Sequence, residues 1–327
     1  MAEVGVVAIG RNEGDRLVRC LRSVSGLGTK VVYVDSGSSD QSVEIAAALG
    51  AIVVQLDSSV PFGPARARNE GAQLLLEVDP SVQFIQFIDG DCELREGWLA
   101  TAAKQLSENP RAAVVAGRLR ECSPDTSIYN RFCDIEWEGP IGEITACGGI
   151  AMMRRRAFQD VGGFDASVLA GEEPEICLRL RRKGWTIVRI SAEMALHDAG
   201  MTRLGQWWRR AVRGGYAYAQ GAKMHGGSRD RHFVREVRRI WSWGFFLPVL
   251  ALAAAWSSRG ASLLLLVLYP LQFLRIYRKL RHRDVGGVPR AAYAAFCIVS
   301  KFAEVAGAWK FKVKEFRRTP MQLIEHR

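Results

Sequence analysis

No Cys-x-x-Cys pair occurs in the 327 residues, and the seven cysteines (20, 92, 122, 133, 147, 177 and 297) are scattered and odd in number. That argues against both a zinc site and a disulfide framework, and points to reduced thiols in a cytosolic setting. No G-x-G-x-x-G follows the first apolar run, and no Walker lysine loop is present, so dinucleotide and P-loop binding are disfavoured. Internal repeats and low-complexity linkers are missing. Acidic residues are scarce at the back: residues 201–327 hold 6 of the 34 Asp+Glu but 24 of the 45 Lys+Arg. The net charge of +11 therefore joins a mildly acidic front to a basic rear. The rear basic residues flank apolar runs, which points to an anionic membrane surface and away from nucleic acid. An apolar run begins by about Val4, so no signal peptide is expected ahead of it.

What is present centres on Phe84-Ile85-Gln86-Phe87-Ile88-Asp89-Gly90-Asp91. Its β-branched and aromatic residues read as a buried strand. The two aspartates then emerge at its carboxyl end, where open α/β sheets bind ligands. Adjacent carboxylates raise each other's pKa unless a cation neutralises them, and a magnesium-type ion shared with substrate phosphates fits such a pair. Upstream, Val4–Ile9, Val31–Val34 and Ile52–Leu56 read as strands. Between them, Asp15 and Asp40 are read as caps of two helices, the first stopped by Gly26 and Gly28. A Pro/Gly loop, residues 61–64, leads into a third helix. This alternation implies crossover connections and a mainly parallel sheet flanked by helices. Polar clusters at Arg11–Glu13, Asp35–Asp40 and Asp89/Asp91 then share one rim.

Several segments, in order over about residues 4–225, carry a family resemblance. They are Val6-Val7-Ala8-Ile9-Gly10-Arg11-Asn12-Glu13, Val34-Asp35-Ser36-Gly37-Ser38-Ser39-Asp40, Ala67-Arg68-Asn69-Glu70-Gly71, Asp89-Gly90-Asp91, Val161-Gly162-Gly163-Phe164-Asp165 and Gly171-Glu172-Glu173. The set resembles family 2 glycosyltransferases, inverting enzymes of the GT-A fold, a Rossmann-like α/β class with a mainly parallel mixed sheet.

The resemblance implies a nucleotide diphosphate sugar donor, a glycan or lipid-linked acceptor and a divalent cation, Mg2+ or Mn2+. It places Asp35 against a base N–H, unless that acid only forms its turn. It sets Arg68 at a base carbonyl, or else as a solvated helix residue, and Glu13 near base and ribose, or else as a local cap. Asp91 becomes the direct metal ligand, Asp89 reaches the ribose or the metal through water, and His197 either closes the metal shell or is structural. Glu173 becomes the general base where the family carries aspartate, with Glu172 or Glu175 as alternatives. Gly148 and Gly149 fall on the acceptor side of the sugar, or mark a tight approach to a strand. Gln206, Arg209 and Arg210 hold a diphosphate, or belong to an amphipathic helix whose tryptophans pack inward.

The sequence divides into a catalytic domain, residues 1–225, and a basic, apolar helical region, residues 226–327. Residues 241–256 and 261–277 are apolar, and each falls short of the roughly 20 residues of a comfortable span. Arginines and lysines on both flanks put both ends in the cytoplasm, so a hairpin or re-entrant pair at about 241–277 is expected. Residues 291–312, interrupted by Lys301 and Glu304, are expected to lie in the membrane interface. Two other readings compete. A nucleotidyltransferase of the same fold would want a basic glycine loop, which Gly10-Arg11-Asn12-Glu13 does not supply. A non-catalytic membrane scaffold would keep only the nucleotide site.

Overall fold

The computed structural model describes residues 4–25, 28–280 and 290–317, so Gly26, Arg281 and Arg283 lie outside it. It divides into two compact units, Met1–Pro124 with Glu136–Gly200, and Asp125–Ile135 with Met201–Arg327.

The first unit opens with the expected alternation: β1 (Val4–Gly10), α1 (Asp15–Val24), β2 (Lys30–Asp35), α2 (Ser42–Ala48), β3 (Ile52–Gln55), α3 (Pro64–Val78) and β4 (Phe84–Asp89). In α1 the apolar positions Leu17, Leu21 and Val24, with Cys20, form the buried stripe. Asp15 is the first helical residue rather than the cap, and Gly14 precedes it with φ 53°. Asp40 accepts the Ser42 N–H at 3.0 Å, one residue ahead of the N-cap of α2.

Beyond β4 come β5 (Cys92–Leu94), α4 (Trp98–Glu108), β6 (Ala112–Glu121), α5 (Ile128–Trp137), β7 (Gly142–Ile144), β8 (Ala151–Arg154), α6 (Arg155–Asp160), α7 (Glu172–Arg182) and β9 (Thr186–His197). The strands form one sheet of order β3-β2-β1-β4-β8-β6-β9-β5, with β7 on β9. It is parallel through β3-β2-β1-β4, turns antiparallel at β8, and is parallel again between β6 and β9. The order brings the ends of β1, β2 and β4 together, with Gly10 beside Asp35 and Ile9 beside Asp89. The shared rim expected from the sequence is therefore present. The last strand runs to His197, well past the Thr186–Ile190 segment legible as a strand, because its far half pairs with β5.

The second unit contains α8 (Leu204–His225), α9 (Val234–Trp241), a π-helical stretch Ser242–Phe246, α10 (Leu247–Ala253), a 3-10 stretch Ala261–Val267, α11 (Leu268–Lys279) and α12 (Arg290–Arg317). Helix α12 packs along α8. A Cβ on Gly307 would overlap the Val212 carbonyl oxygen, and one on Gly215 would overlap that of Glu304, so the two backbones touch. Tyr216 and Phe311 meet edge-on at 5.4 Å in the same seam. Buried Glu304 is paired with Lys301 at 2.5 Å, so the two charges that interrupt this apolar segment answer each other. The opposite face of α12 leaves Val299, Phe302, Trp309 and Phe316 exposed. Residues 261–279 and 290–317 are long and apolar enough to cross a membrane by length and composition.

Gly307→Ala should force α8 and α12 apart and cost about 1–3 kcal/mol, the usual range for overpacking a close seam. Thermal unfolding in detergent should show a lowered midpoint for this variant and no comparable change for Gly214→Ala, where a Cβ meets open space.

Candidate active site

The rim formed by the loops after β1 and β2 is knitted by its own hydrogen bonds. Asn12 donates its N–H to Ser38 Oγ at 2.9 Å and accepts the Ser39 N–H at 2.7 Å, tying the loop after β1 to the loop after β2. Asp35 is only 2% exposed. One of its oxygens accepts Tyr33 OH at 3.1 Å and Ser38 Oγ at 2.5 Å, and the other accepts the Gly37 and Ser38 N–H groups at 2.9 and 2.7 Å. Burial and then the Asp35 charge push the Tyr33 phenol pKa up, so it stays a donor. Asp35 is thus engaged in forming its turn, and loop residues 36–38 are what it presents. Glu13 lies on the same rim, paired with Arg16 at 2.9 Å.

Arg68 does not face solvent: it is 2% exposed. Its guanidinium is 2.9 Å from Asp89, 2.8 Å from Glu172 and 3.3 Å from Glu173, and stands over the Phe164 ring at 5.5 Å. The neighbouring Asn69 explains the placement. Its amide donates to Phe164 O at 2.7 Å and accepts Phe164 N–H at 2.9 Å, which clips α3 to the Gly-Gly-Phe-Asp turn. Two segments that looked like separate motifs are one fastening. Burial works against the Arg68 charge, but Asp89, Glu173 and Glu172 outweigh it and push the pKa up.

The three glutamates at the start of α7 separate cleanly. Glu172 is buried and held by Arg68, and Glu175 is buried and held by Arg179 at 2.6 Å. Glu173 alone keeps part of its side chain, 17%, exposed. Burial first, then the Glu172 charge, raise its pKa to about 7, with Arg68 opposing. Glu175 therefore offers no free carboxylate, and Glu172 serves as a fixed counter-ion. Gly149 presses on the same cluster: a Cβ there would lie 2.5 Å from Arg68, 2.8 Å from Asp89 and 3.0 Å from Glu173. Gly148 meets nothing within 4 Å and faces open space.

Beside this cluster, strand pairing builds a second one. Cys92 on β5 is the register partner of His197 on β9, and the Asp198 N–H donates to Asp91 O at 3.0 Å. His197 Nε2 then lies 3.5 Å from Asp91 Oδ2. One ligand atom each from Asp91, Cys92 and His197 falls within a common 4.8 Å. Burial pushes the Cys92 thiol pKa well up, and the thiol donates to Asp91 Oδ1 at 3.2 Å. The available donors are one carboxylate and one imidazole, a set that suits a hard or borderline divalent ion. Asp89, at the end of β4, is occupied on one oxygen by Arg68 and is 33% exposed.

Sequence reasoning missed two supports of His197. The Trp137 ring lies 4.6 Å from it, and buried Glu121 accepts the Ala199 N–H at 3.1 Å just beyond it. No motif flags either residue, since both act through β9. Gln206, Arg209 and Arg210 lie on α8 in the second unit. The Gln206 amide oxygen caps that helix through Thr202 and Arg203 N–H at 2.9 and 3.0 Å. Trp207 packs inward on Phe296 at 4.7 Å, while Trp208 is exposed.

A sheet of this order, with carboxylates gathered where β1, β2 and β4 end, defines the GT-A class of fold. The glycosyl transferase family 2 model matches residues 6–162, and the glycosyl transferase family group 2 model matches residues 125–303. The chain belongs to glycosyltransferase family 2. It is 29% identical over 229 residues to a pre-mycofactocin glycosyltransferase of Mycobacterium tuberculosis, which covers 66% of this chain and 47% of that one. The chain thus spans about half the length of that relative. It is 22% identical over 209 residues to the glycosyltransferase AglE of Haloferax volcanii, covering 60% and 67% of the two chains. Among solved structures, a mannosyltransferase from Pyrobaculum calidifontis in complex with GDP-Man and Mn2+ superposes with a TM-score of 0.63 at 17% identity, over 95% of this chain and 87% of that one.

Removing the cation at the centre of the cluster should be severe. Arg68→Met leaves Asp89, Glu172 and Glu173 facing one another, and breaking a buried ion pair from one side costs about 3–5 kcal/mol. Denaturant unfolding of the variant should show that loss, and Glu172→Gln in the Arg68→Met background should recover part of it.

Proposed function

We propose that this chain transfers a sugar, with inversion, from a nucleotide diphosphate sugar to a lipid-linked glycan at the cytoplasmic face of a membrane. The observation that carries the reading is the exposed edge of Glu173, held beside Asp89 by one buried guanidinium. In the proposed step the acceptor hydroxyl oxygen attacks the anomeric carbon and its proton passes to Glu173. The bond from that carbon to the diphosphate breaks on the opposite face, and the nucleoside diphosphate leaves. Glu173 suits this role because a base with pKa about 7 is both ionised and proton-accepting near neutrality. Arg68 and Glu172 hold it in place, and Gly149, having no Cβ, leaves room for the three side chains of the cluster. The loops after β1 and β2, with Glu13 and the Asp35 turn, would receive the nucleotide. Asp91 and His197 would hold the divalent cation, Mg2+ or Mn2+, whose charge offsets that of the leaving diphosphate. The basic, apolar second unit would keep the site beside a lipid-linked acceptor.

Asp91→Asn should keep the fold and lose the metal dependence of donor binding. Calorimetric titration with UDP-, GDP- and dTDP-sugars, with and without Mn2+, reads this directly, and unchanged manganese dependence would remove Asp91 from the metal site.

Glu173→Gln should lower turnover by about a hundredfold or more while donor affinity stays within a few-fold. In the parent, kcat/KM should fall below a pH of about 7, where Glu173 takes up its proton, and this limb should vanish in the variant. The linkage sign gives a second readout. Folding raises this pKa from 4.5 to about 7, so the group disfavours the folded state increasingly as pH rises through that window. Glu173→Gln should therefore be at least as stable as the parent at pH 8, though far slower.

A further inference from the structure

We infer that residues 241–277 form a hairpin that crosses the whole hydrocarbon layer and sets its apex, Trp256 to Arg259, in the far headgroup region. The inference rests on the membrane reading above and goes beyond it, since that reading is met equally by a hairpin lying in one leaflet.

Three observations favour a crossing. The first is reach. Residues 241–253 of the outgoing arm extend at most about 20 Å at the α-helical rise, slightly shortened by the π-helical Ser242–Phe246. On the return arm, residues 261–267 are a 3-10 stretch and residues 268–274 are α-helical. At about 2.0 and 1.5 Å per residue these give about 24 Å. A leaflet is half of a core about 30 Å thick, so the apex passes the midplane, and the remaining roughly 6–10 Å is met by local thinning of the bilayer and by the reach of the Arg259 side chain.

The second is charge. Between Arg239 and Arg275 the one charged side chain is Arg259, at the apex. Arg238, Arg239, Arg275, Arg278 and Lys279 collar the other end. An arginine stranded at the midplane is costly, whereas one near the far surface reaches it by extending its side chain. Trp256, 96% exposed beside it, is the residue type that gathers at membrane–water interfaces.

The third is backbone satisfaction, which hydrocarbon requires of any segment that enters it. At the apex, Ser258 Oγ donates to Ala254 O at 2.6 Å and accepts the Ser262 N–H at 3.0 Å. Ser262 Oγ donates to Ala251 O at 2.7 Å, and the Gly260 N–H to Ala255 O at 2.8 Å. Between the arms, Tyr269 OH donates to Trp243 O at 2.6 Å. Meanwhile, no side chain of the return arm Ala261–Lys279 is buried in the protein. The polar groups are turned inward and the apolar ones outward, the arrangement lipid favours.

The test uses the full chain with Ser257→Cys, expressed in cells and treated with a membrane-impermeant maleimide before or after permeabilisation. Native Cys122, exposed on the first unit, is the internal reference, and peptide mass mapping separates the two sites. The expected result is modification of Cys122 only after permeabilisation and of position 257 in intact cells. If position 257 resists until detergent dissolves the bilayer, the apex is buried and the crossing is wrong. If it reacts only together with Cys122, the hairpin lies on the near surface, and the crossing is again wrong. Extraction at alkaline pH is run in parallel. Protein released without detergent, as monomers or as oligomers covering the hairpin with a second copy, would overturn the membrane reading itself.

Discussion

One guanidinium organises this site. Arg68 reaches from α3 to Asp89 at the end of β4 and to Glu172 and Glu173 at the start of α7, so three elements share a single buried cation. Without it, three carboxylates would stand within reach of one another in a region where water cannot screen them, and the low dielectric makes such repulsion costly. With it, one carboxylate is locked, one is shared with the end of β4, and one has a pKa of about 7. Asn69, the next residue, secures the same helix to the turn at Phe164 through paired hydrogen bonds. Position and charge are fixed by neighbouring residues of one segment.

The sheet was legible because its first half obeys a local code. Val4–Ile9, Val31–Val34 and Phe84–Ile88 are apolar runs that end in polar turns, and crossover helices between them force parallel pairing. The second half was not legible. Strands β5, β7 and β8 have three, three and four residues, too short to show a period. β9 extends seven residues past the part that reads as a strand, because its pairing with β5 is decided by residues a hundred positions away.

At the site, acids at strand ends were legible by type and place, whereas roles set by partners were not. Arg68 on a helix beside Asn69 and Glu70 reads as a partner for a base carbonyl or as a solvated residue, and only the fold reveals the three carboxylates around it. Asp35 looks like an acceptor awaiting a base, and its own strand and loop already supply it with four donors. Among Glu172, Glu173 and Glu175 the choice depends on which already has a cation, and that is a property of tertiary packing. Trp137 and Glu121 carry no motif, since their contacts with His197 and Ala199 arise from tertiary packing.

The pairing of β5 with β9 has a consequence for how the molecule is made. Asp91 and His197 meet only when that antiparallel pair closes, and Arg68 meets Glu172 across a separation of 104 residues. Contacts so distant in sequence carry a large loop-closure entropy and tend to form late, after β1, β2 and β4 have given them a surface to close on. During synthesis, the parallel half of the sheet can assemble while α7 and β9 are still in the ribosome. In that interval the chain already has the loops after β1 and β2 but neither Glu173 beside Asp89 nor His197 beside Asp91. Both clusters are thereby completed only when the last strand of the sheet is in place.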